Sequence, residues 1–434
     1  MKIFKIIWLS ILPLAGMGQG FLSLEKAVQT GLEQNLNIKV SNADLAIAQK
    51  GNNLGNAGFL PQLNANGSYN ESTTDFTQQL ANSPDKNTEN GAVSENLNAG
   101  ITLSYTVFNG LGRLYNLQQL RLQERLSEAS LRFTIENQLL QIFATYFQLA
   151  RAQAEVKVTR NAIGLSQRRY QRAKAAEELA GNTRLQTLSA RVDLNTDSAA
   201  FLNAHNSYQQ ALRDLNLLLQ YPTDTAYAVD SLVQVPDKID PMALQKKAME
   251  NNTALLQAQI SRSLRSKEVK TAWSQYMPNV SVNAGYNFSR QENDASFLQF
   301  TQSTGFSYGI TATWNLFNSA RTKTQIEQAS IRLHQSKLEV KQSKMQLRTD
   351  LSKSYLDFKN ARQLLALQKR NLETAKLNFQ RAQNAYQMGQ LTQIELREAQ
   401  LNLMRTELQI VNLRYAAKLA EIEMQRVAGT LLQE

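Results

Sequence analysis

The residue types that most often support catalysis are scarce in this chain of 434 residues and lie apart. Cysteine is absent, which excludes disulfides, thiolate metal sites and cysteine nucleophiles. The two histidines, His205 and His334, lie far apart on helical segments, so solvated or packed side chains are expected there. We find no phosphate-binding glycine loop and no nucleophile motif. The sequence therefore predicts no enzyme activity, no cofactor and no metal site.

Two carboxylates are the sharper candidates for a functional site. Glu395 and Glu398 are three residues apart, which places them on one face of a helix, and neither has a Lys or Arg at i±3 or i±4. Neighbouring like charges cost stability in a helix, so the pair needs a reason. Surface glutamates that simply face water are the alternative.

The N-terminus predicts an export signal over residues 1–18. Lys2 and Lys5 precede the apolar run Ile6 to Ala15, and the small residues that follow predict cleavage before Gln19. The run is too short for a membrane span, and no later stretch of ~18–20 consecutive apolar residues follows it. We expect an exported chain without a helical anchor and, because cysteine is absent, without a lipidated N-terminal cysteine.

Charge and composition narrow the class of protein further. The net charge is +11, but the basic residues are scattered along helical segments without a concentrated block, so nucleic acid is not an expected partner. Seven prolines and nineteen glycines are few for this length, which favours long uninterrupted helices.

An internal repeat organises the chain. Before and within the first strands the second copy follows the first by 217 residues, and after the strands by 209 residues. The matching positions include Asn35 with Asn252, Tyr69 with Tyr286, Phe108-Asn109 with Phe317-Asn318, Thr183 with Thr392, and Leu194 with Leu403. The difference falls in the polar stretch Asn82 to Asn96, which predicts a surface loop.

Each copy predicts a helix, a two-strand hairpin, a very long helix, a tight turn and a returning helix. The first repeat covers residues 19–220 with its hairpin at 63–108, and the second covers 241–434 with its hairpin at 280–317, joined by an irregular linker at 221–240. The first helix of the chain is predicted as one segment from Ser23 to Gly58. Each long helix would span ~100 Å and carries large residues every seventh position beside small ones, which is typical of a coiled-coil seam.

The four predicted strands alternate large apolar residues with Asn, Ser, Thr and Gly. The last of them, Phe306 to Phe317, places Phe306, Tyr308, Ile310, Trp314 and Leu316 on one face. A half-buried soluble strand shows the same alternation, but ten to twelve residues is also the length with which a tilted strand crosses a bilayer. Four strands alone would leave open edges in the membrane, so closure needs several copies of the chain.

The order, duplication and spacing of several motifs resemble the outer-membrane efflux protein (TolC) family over essentially the whole mature chain. These motifs are the LSLEKAV opening with Asn35, the FLPQL and YMPNV strand entries, the YTVFNG and WNLFNS strand-to-helix junctions, and the YQMGQLTQIEL turn.

The resemblance implies a mainly α fold with a membrane β-barrel portion. Three chains would supply four strands each to a twelve-stranded barrel in the outer membrane of a Gram-negative bacterium. The barrel would continue into a long periplasmic α-helical coiled-coil barrel. The implied partners are two further copies of the chain, a periplasmic adaptor (membrane fusion) protein, an inner-membrane transporter of the RND or ABC type, and outer-membrane lipid. Such a channel would conduct substrates passively in a tripartite efflux or type I secretion system.

The resemblance also assigns roles to the helical turns. It implies that the turns meet the adaptor, at Ala180, Gly181 and Thr183 in the first copy and Gly389 and Thr392 in the second. Glu395 and Glu398 would be gathered by the trimer into a constricting acidic ring that favours cations, and Tyr386 would help to hold the turn shut. A helix C-cap followed by an N-cap threonine also accounts for the turn, and Tyr386 also fits the coiled-coil seam.

An exported coiled-coil scaffold or adhesion protein with a soluble sheet is the alternative function. The transported substrate cannot be read from the wall of a duct, because the transporter selects it.

Overall fold

The computed structural model describes residues 20–432, except 80, 82–83, 180–183, 231–233, 237–238 and 295–297. Two compact units divide the chain, and each combines segments from both halves of the sequence. One unit comprises Ala43–Ala129 and Leu256–Ser343. The other comprises the described residues of Met1–Asn42, Ser130–Leu255 and Lys344–Glu434. The predicted signal segment, residues 1–18, lies outside the described residues.

The first unit contains a four-stranded antiparallel sheet. Its strands are β2 (Gln62–Gln79), β3 (Lys86–Asn109), β5 (Asn279–Asn293) and β6 (Phe300–Thr313), in the spatial order β2-β3-β5-β6. The second strand of the first repeat thus pairs with the first strand of the second repeat. In the described part of the chain, the outer edges of β2 and β6 have no partner strand.

The register sorts the side chains of this sheet into two unlike faces. One row across all four strands contains Ala65, Ile101, Tyr286 and Phe306. The neighbouring row on the opposite face contains Asn64, Thr102, Gly285 and Ser307. Successive strand residues point to opposite faces, so the alternation seen in the sequence produces one apolar and one polar face.

The strands differ in length from the prediction. The stretch Asn82 to Asn96, expected to be a loop, enters β3 at Lys86, and Gln79 pairs with Lys86 at the end of the hairpin. A bulge at Thr74/Phe76 interrupts the ladder, and there Asp75 Oδ1 accepts a hydrogen bond from the backbone N–H of Gly91 at 2.9 Å. Asn, Asp and Gly favour loops locally, but cross-strand pairing overrides this weak preference.

Both strand-to-helix junctions use the same backbone geometry. Gly110 and Leu111 have φ of 64° and 66°, and the repeat-equivalent Ser319 and Ala320 have φ of 55° and 62°. The preceding Asn109 and Asn318 each accept a hydrogen bond through Oδ1 from the backbone N–H four residues later, at 3.2 and 3.4 Å. The turn therefore belongs to the repeat, because three of its four left-handed residues are not glycine and pay a conformational cost.

The long helices that follow carry the predicted seam. They are α3 (Gly112–Glu178) and α7 (Arg321–Gln387), each of 67 residues, and they return as α4 (Arg184–Leu219) and α8 (Gln393–Val427). Seam residues such as Ile142, Leu149, Leu351 and Phe358 are buried, and small ones such as Ala152 and Ala375 are buried beside them. This agrees with a large-beside-small helical interface.

The core of the second unit is aromatic and aliphatic. Tyr146, Phe147, Leu215, Leu219 and Tyr415 are buried in it. The Tyr146 hydroxyl donates to the carbonyl of Leu22 at 2.9 Å and accepts from the N–H of Asp230 at 3.0 Å. The linker expected to be irregular contains β4 (Tyr227–Val229), which pairs in parallel with β1 (Gly20–Leu22). The linker is thus fastened to this core.

The helix expected from Ser23 to Gly58 is two helices, α1 (Leu24–Gln34) and α2 (Leu36–Gly51), separated by Asn35. The second copy repeats the break as α5 (Pro241–Asn251) and α6 (Thr253–Ser274), separated by Asn252. Asn35 Oδ1 accepts from the N–H of Ile38 at 3.2 Å, and Asn252 Oδ1 accepts from the N–H of Leu255 at 2.9 Å. Each asparagine therefore caps the second helix of its copy.

No helix in the described ranges is both long enough and apolar enough to cross a membrane.

Replacing Asn35 tests whether its side chain caps α2 at the break between α1 and α2. We expect Asn35→Ala to lose ~1–2 kcal/mol of stability, because the cap and the hydrogen bond from Asn35 Nδ2 to Gln138 Oε1 at 2.8 Å are both removed. The apparent melting temperature in detergent measures the loss. Asn37→Ala, an exposed neighbour, is the matched control, and equal melting temperatures for the two variants would contradict the capping role.

Candidate functional site at the helical turns

The turn between α7 and α8 is closed by backbone hydrogen bonds. The N–H of Gln390 donates to the carbonyl of Ala385 at 2.9 Å, and the N–H of Gly389 donates to that of Tyr386 at 3.1 Å. Gly389 has φ of 74°, and this pattern is a Schellman motif with glycine at its left-handed position. Gly389 thus ends α7 with a conformation that other residues adopt only with strain.

Thr392 and Glu395 form a capping box at the start of α8. The Thr392 N–H donates to Glu395 Oε2 at 2.8 Å, the Thr392 hydroxyl donates to the same oxygen at 2.6 Å, and the Glu395 N–H donates to Thr392 Oγ1 at 3.3 Å. The hydrogen bonds from the Thr392 hydroxyl and N–H hold the pKa of Glu395 below its usual value. Glu395 therefore has a local structural reason to be acidic that the sequence reading overlooked.

Glu398 and Tyr386 lie in different surroundings. Glu398 is exposed, and no hydrogen bond or ion pair to it is found among the described residues. Glu395 and Glu398 both line an open groove between α7 and α8, together with Arg381 and Asn402. Tyr386 is half-buried and lines a small cavity with Arg169 and Gln400. The tyrosine thus does not lie in the groove that holds the two carboxylates.

Of the predicted turn residues, Ala180, Gly181 and Thr183 lie outside the described residues, and Gly389 and Thr392 form the caps just given. The helices on either side carry exposed large apolar residues. Leu179 and Leu185 flank the first turn, and Met388 and Ile394 flank the second. Leu179 is the repeat equivalent of Met388, and Leu185 is that of Ile394. The two turns are thus flanked by apolar side chains at matching positions of the repeat.

A buried ionic cluster beneath the turns joins α3, α4 and α8. Arg397 donates two hydrogen bonds to Asp197, Nη1 to Oδ2 at 2.7 Å and Nη2 to Oδ1 at 2.8 Å. Ser166 also donates to Asp197. Arg169 Nη2 forms an ion pair with Asp193 Oδ2 at 3.0 Å, and Arg397 Nε lies 3.5 Å from Asp193 Oδ1. We call Ser166, Arg169, Asp193, Asp197 and Arg397 the ionic cluster.

Burial and pairing compete in this cluster. Burial raises the pKa of Asp197, but the hydrogen bonds from Arg397 and Ser166 outweigh it, so the pKa lies below its usual value. Burial lowers the pKa of Arg397, but the bond to Asp197 outweighs it and the pKa is raised. For Arg169, burial dominates and the pKa is lowered despite the attraction of Asp193. The Arg397–Asp197 pair is therefore the better compensated part of the cluster.

The donors around the cluster are incompletely satisfied. Buried nitrogen atoms of three side chains, Arg169 Nε and Nη1, Gln393 Nε2 and Gln400 Nε2, have no acceptor among the described residues. Most buried polar groups in proteins are hydrogen-bonded, and each exception weakens the local structure. These donors are therefore weak points in the polar contacts beneath the turns.

Sequence reasoning missed the ionic cluster, although the repeat contained the signal. The second copy has Ala375, Asn378, Asn402 and Thr406 where the first has Ser166, Arg169, Asp193 and Asp197, and the first copy has Leu188 where the second has Arg397. Both acids occur in one copy and the residue that pairs with Asp197 occurs in the other. Complementary charges at positions where the repeats differ would have indicated the contact.

The described ranges contain no group of three or more His, Cys, Asp or Glu side chains placed to hold a metal ion. His205 and His334 are both exposed. His205 lies beside the rings of Phe201 and Tyr208, with centroids 6.1 and 6.4 Å away.

The comparison with protein families identifies this architecture. The model of the outer membrane efflux protein family matches residues 27–219 and 244–430, one match for each sequence repeat. The chain belongs to the outer membrane efflux protein family. This is a family of channels and not of enzymes, and it places the protein in the outer membrane of a Gram-negative bacterium with a periplasmic extension.

Individual relatives are distant but extend over most of the chain. The cation efflux system protein CusC of Escherichia coli K12 is 23% identical over 422 residues, covering 93% of this chain and 85% of the relative. The outer membrane protein TolC of Vibrio cholerae is 21% identical over 381 residues, covering 87% and 83%.

Solved structures share the fold. A crystal structure of CusC superposes with a TM-score of 0.76 at 18% identity, covering 97% of this chain and 95% of that one. The Campylobacter jejuni CmeC outer membrane channel superposes with a TM-score of 0.77 at 14% identity, covering 94% and 86%. The predicted fold class, long helices with a four-stranded sheet in two repeats, is thereby confirmed.

A double-mutant cycle guided by the repeat tests the ionic cluster. Arg397→Leu installs the residue found at Leu188 and leaves Asp197 buried without its main partner, which we expect to cost ~3–5 kcal/mol. Adding Asp197→Thr, the residue found at Thr406, removes that charge and should restore most of the loss. The measurement is the apparent melting temperature in detergent. A double variant at least as unstable as the sum of its singles would contradict the coupling.

Acid titration supplies a second test of the same pair. The pKa of Asp197 is lowered in the folded protein, so its contribution to stability is present above the unfolded value of about 4 and is lost as the pH falls through the lower folded value. We expect the wild type to lose more melting temperature below about pH 4 than the Arg397→Leu/Asp197→Thr double variant. Parallel curves would contradict this prediction.

Proposed function

We propose that the protein is the outer-membrane exit duct of a tripartite efflux or type I secretion system. Three copies of the chain form a homotrimer whose twelve strands close a β-barrel in the outer membrane. Substrates reach it from an inner-membrane transporter of the RND or ABC type through a periplasmic adaptor (membrane fusion) protein. The chain conducts them passively and performs no reaction on them.

The observation that carries this proposal is the sheet of one apolar and one polar face with two unpaired edges. Its apolar side chains are exposed, including Tyr69, Ile101, Tyr286, Phe306 and Tyr308. A soluble sheet would bury such a face, whereas a membrane barrel turns it to lipid and its polar face to a watery lumen. The hydrocarbon phase does not tolerate an open edge, so four strands require further copies.

Charged residues bound the apolar face at one end. Glu71, Glu95 and Glu292 lie side by side across β2, β3 and β5, on the face that carries Tyr69, Leu97 and Phe288 nearer the middle of the strands. Arg290, opposite Leu97 one row nearer the middle of the strands, forms an ion pair with Glu292, but charged side chains remain unfavourable in the hydrocarbon core. The row therefore supports a membrane boundary at this level, with solvent beyond it.

The periplasmic entrance is proposed to lie at the helical turns. Threefold assembly would bring Glu398 of each chain into an acidic ring that favours cations, with Glu395 beside it. Glu398 supports this role better than Glu395, because Glu395 already serves the capping box while Glu398 is exposed without a partner among the described residues. Tyr386, packed beside Arg169, is proposed to hold the turn shut through packing.

The turns themselves are proposed to dock the adaptor. The matching apolar pairs, Leu179 with Leu185 and Met388 with Ile394, would give a trimer six similar apolar contact points around its end. The turn residues Ala180, Gly181, Thr183, Gly389 and Thr392 are the proposed docking positions.

Single-channel recording in planar bilayers tests the duct and its gate. We expect the wild type to conduct, and Glu398→Gln to raise conductance or weaken cation preference, because an acidic ring loses its charge. Glu395→Gln should change either property less and should keep the helix start, since Gln also completes a capping box. Glu373→Gln, an exposed glutamate 14 residues before the end of α7, is the matched control.

The proposed duct function would be overturned if the wild-type protein could be extracted in buffer without detergent and never conducted. Unchanged conductance and selectivity in the Glu395→Gln/Glu398→Gln double variant would remove these residues from the gate and leave the duct standing.

Photo-crosslinking in the native host tests adaptor docking. A photoreactive amino acid at Leu185 or Ile394 should capture a periplasmic adaptor identified by mass spectrometry, because both side chains are exposed beside a turn. The same amino acid at Leu202, exposed in the middle of α4, is the control and should capture none. Equal capture at all three positions would contradict docking at the turns.

A further inference from the structure

The internal repeat supplies a register for the contact between two copies of the chain. β3 and β5 belong to different repeats, and they pair in the interior of the sheet with Ile101 opposite Tyr286 and Thr102 opposite Gly285. β6 is the repeat equivalent of β3, and β2 is that of β5. The two free edges of the sheet therefore belong to strands whose repeat equivalents pair with each other inside the sheet.

We infer that β6 of one protomer pairs antiparallel with β2 of a partner copy in the register of the β3–β5 pair, with Thr311 opposite Ser68 of the partner subunit. This inference rests on the homotrimer of the proposed function and names its barrel contact. In the same register Ile310 lies opposite Tyr69 of the partner subunit.

The side chains brought together repeat the chemistry of the observed contact. Ile101 opposite Tyr286 becomes Ile310 opposite Tyr69 of the partner subunit, again isoleucine against tyrosine. Moving the register by two residues would instead put Ile310 opposite Gly67 or Glu71 of the partner subunit. Aromatic side chains opposite β-branched ones are favourable cross-strand pairs, whereas an isoleucine gains little from glycine or a carboxylate.

The composition of β6 and the length of β2 agree with this pairing. β6 contains no charged residue in its 14 positions, so it lacks the charges with which proteins usually protect a free edge. β2 has 18 residues, enough to pair with all of β6. If the register continues without a further bulge, Phe300 lies opposite Gln79 of the partner subunit. Phe300 is the first residue of β6, and Gln79 is the last residue of β2.

The contact also accounts for the early end of β6. The sequence predicted a strand to Phe317, but β6 ends at Thr313, whereas its equivalent β3 continues to Asn109. The last residues of β3, from Tyr105, pair with β5 and not with β2. The equivalent residues 314–318 would pair with residues 62–65 of the partner subunit. In a single chain these residues have no strand to pair with.

Exposure supports the same conclusion. Phe108, whose strand is paired, is 39% exposed, whereas its equivalent Phe317 is 84% exposed. We infer that residues 314–318 become strand on assembly. The pairing ends there, as the pairing of β3 with β5 ends at Asn109. A Cβ on Gly110 would lie 2.6 Å from the carbonyl oxygen of Ser274, and the equivalent residue Ser319 has such a Cβ. The junctions of the two copies therefore pack differently beyond the strands.

Disulfide trapping tests the register cleanly because the chain has no cysteine of its own. The in-register pairs are Thr311→Cys with Ser68→Cys and Gly309→Cys with Asn70→Cys, both on the polar face. Two pairs are used so that the register does not rest on a single pair of positions. A Cβ on Gly309 meets no atom of its own chain within 4 Å. At the equivalent Gly100 a Cβ would meet the side chain of Asn287, and the equivalent of Asn287 is Asn70, which the in-register pair replaces. The control pairs, Thr311→Cys with Asn70→Cys and Gly309→Cys with Ser68→Cys, use the same four substitutions out of register.

Oxidation of protein in outer membranes, followed by non-reducing electrophoresis, should give covalent dimers and trimers for at least one in-register pair. The yield should be several-fold above both control pairs, and single-cysteine variants should give no covalent product. A higher yield in a control pair, or covalent dimers from a single-cysteine variant, would overturn the register. Absence of cross-links from protein that still conducts would overturn the β6–β2 contact and leave the duct standing. Absence of both cross-links and conductance would count against the proposed function itself.

Discussion

A backbone N–H or C=O that faces lipid must be hydrogen-bonded within the protein, and the rest of this structure depends on that constraint. The sheet satisfies it inside but leaves the outer edges of β2 and β6 unpaired in a single chain. The duplicated sequence supplies the same kinds of strand at both edges. Each chain thus has the means to pair with a copy of itself, and no capping element is needed within the chain.

The same duplication shapes the helices, but the two copies have not stayed equivalent. Asn35 and Asn252 cap matching helix breaks, and the junctions after β3 and β6 share consecutive left-handed residues. The ionic cluster breaks this equivalence, because its acids lie in the first copy and the guanidinium that pairs with Asp197 in the second. A buried ion pair contributes little net stability compared with apolar packing, but it strongly penalises loss of either partner. The divergence therefore specifies which helices meet more than it strengthens their contact.

Patterns that repeat every two or seven residues could be predicted from the sequence because they follow from burial alone. The alternation in Phe306 to Thr313 and the seam around Leu351 are of this kind. Features decided by a partner elsewhere in the chain could not be predicted. The stretch after Lys86 has the composition of a loop but pairs with β2. The ion pair of Arg397 with Asp197, 200 residues earlier, left no local signal beside Glu395 and Glu398. The capping role of Glu395 was within reach, since Thr392 and Glu395 have capping-box spacing. Local reasoning identified the turn but not the cluster beneath it.

The first two turns of α8 carry both the two carboxylates and the arginine of the ionic cluster. Glu395 and Glu398 line the groove beside α7, while Arg397 between them reaches Asp197 on α4. Residues one or two apart point in different directions around a helix, so the carboxylates and the guanidinium occupy different sides of α8. A rotation of α8 that moves the carboxylates must therefore strain the two hydrogen bonds between Arg397 and Asp197. The Arg397–Asp197 pair is therefore a polar restraint on the position of the proposed acidic ring.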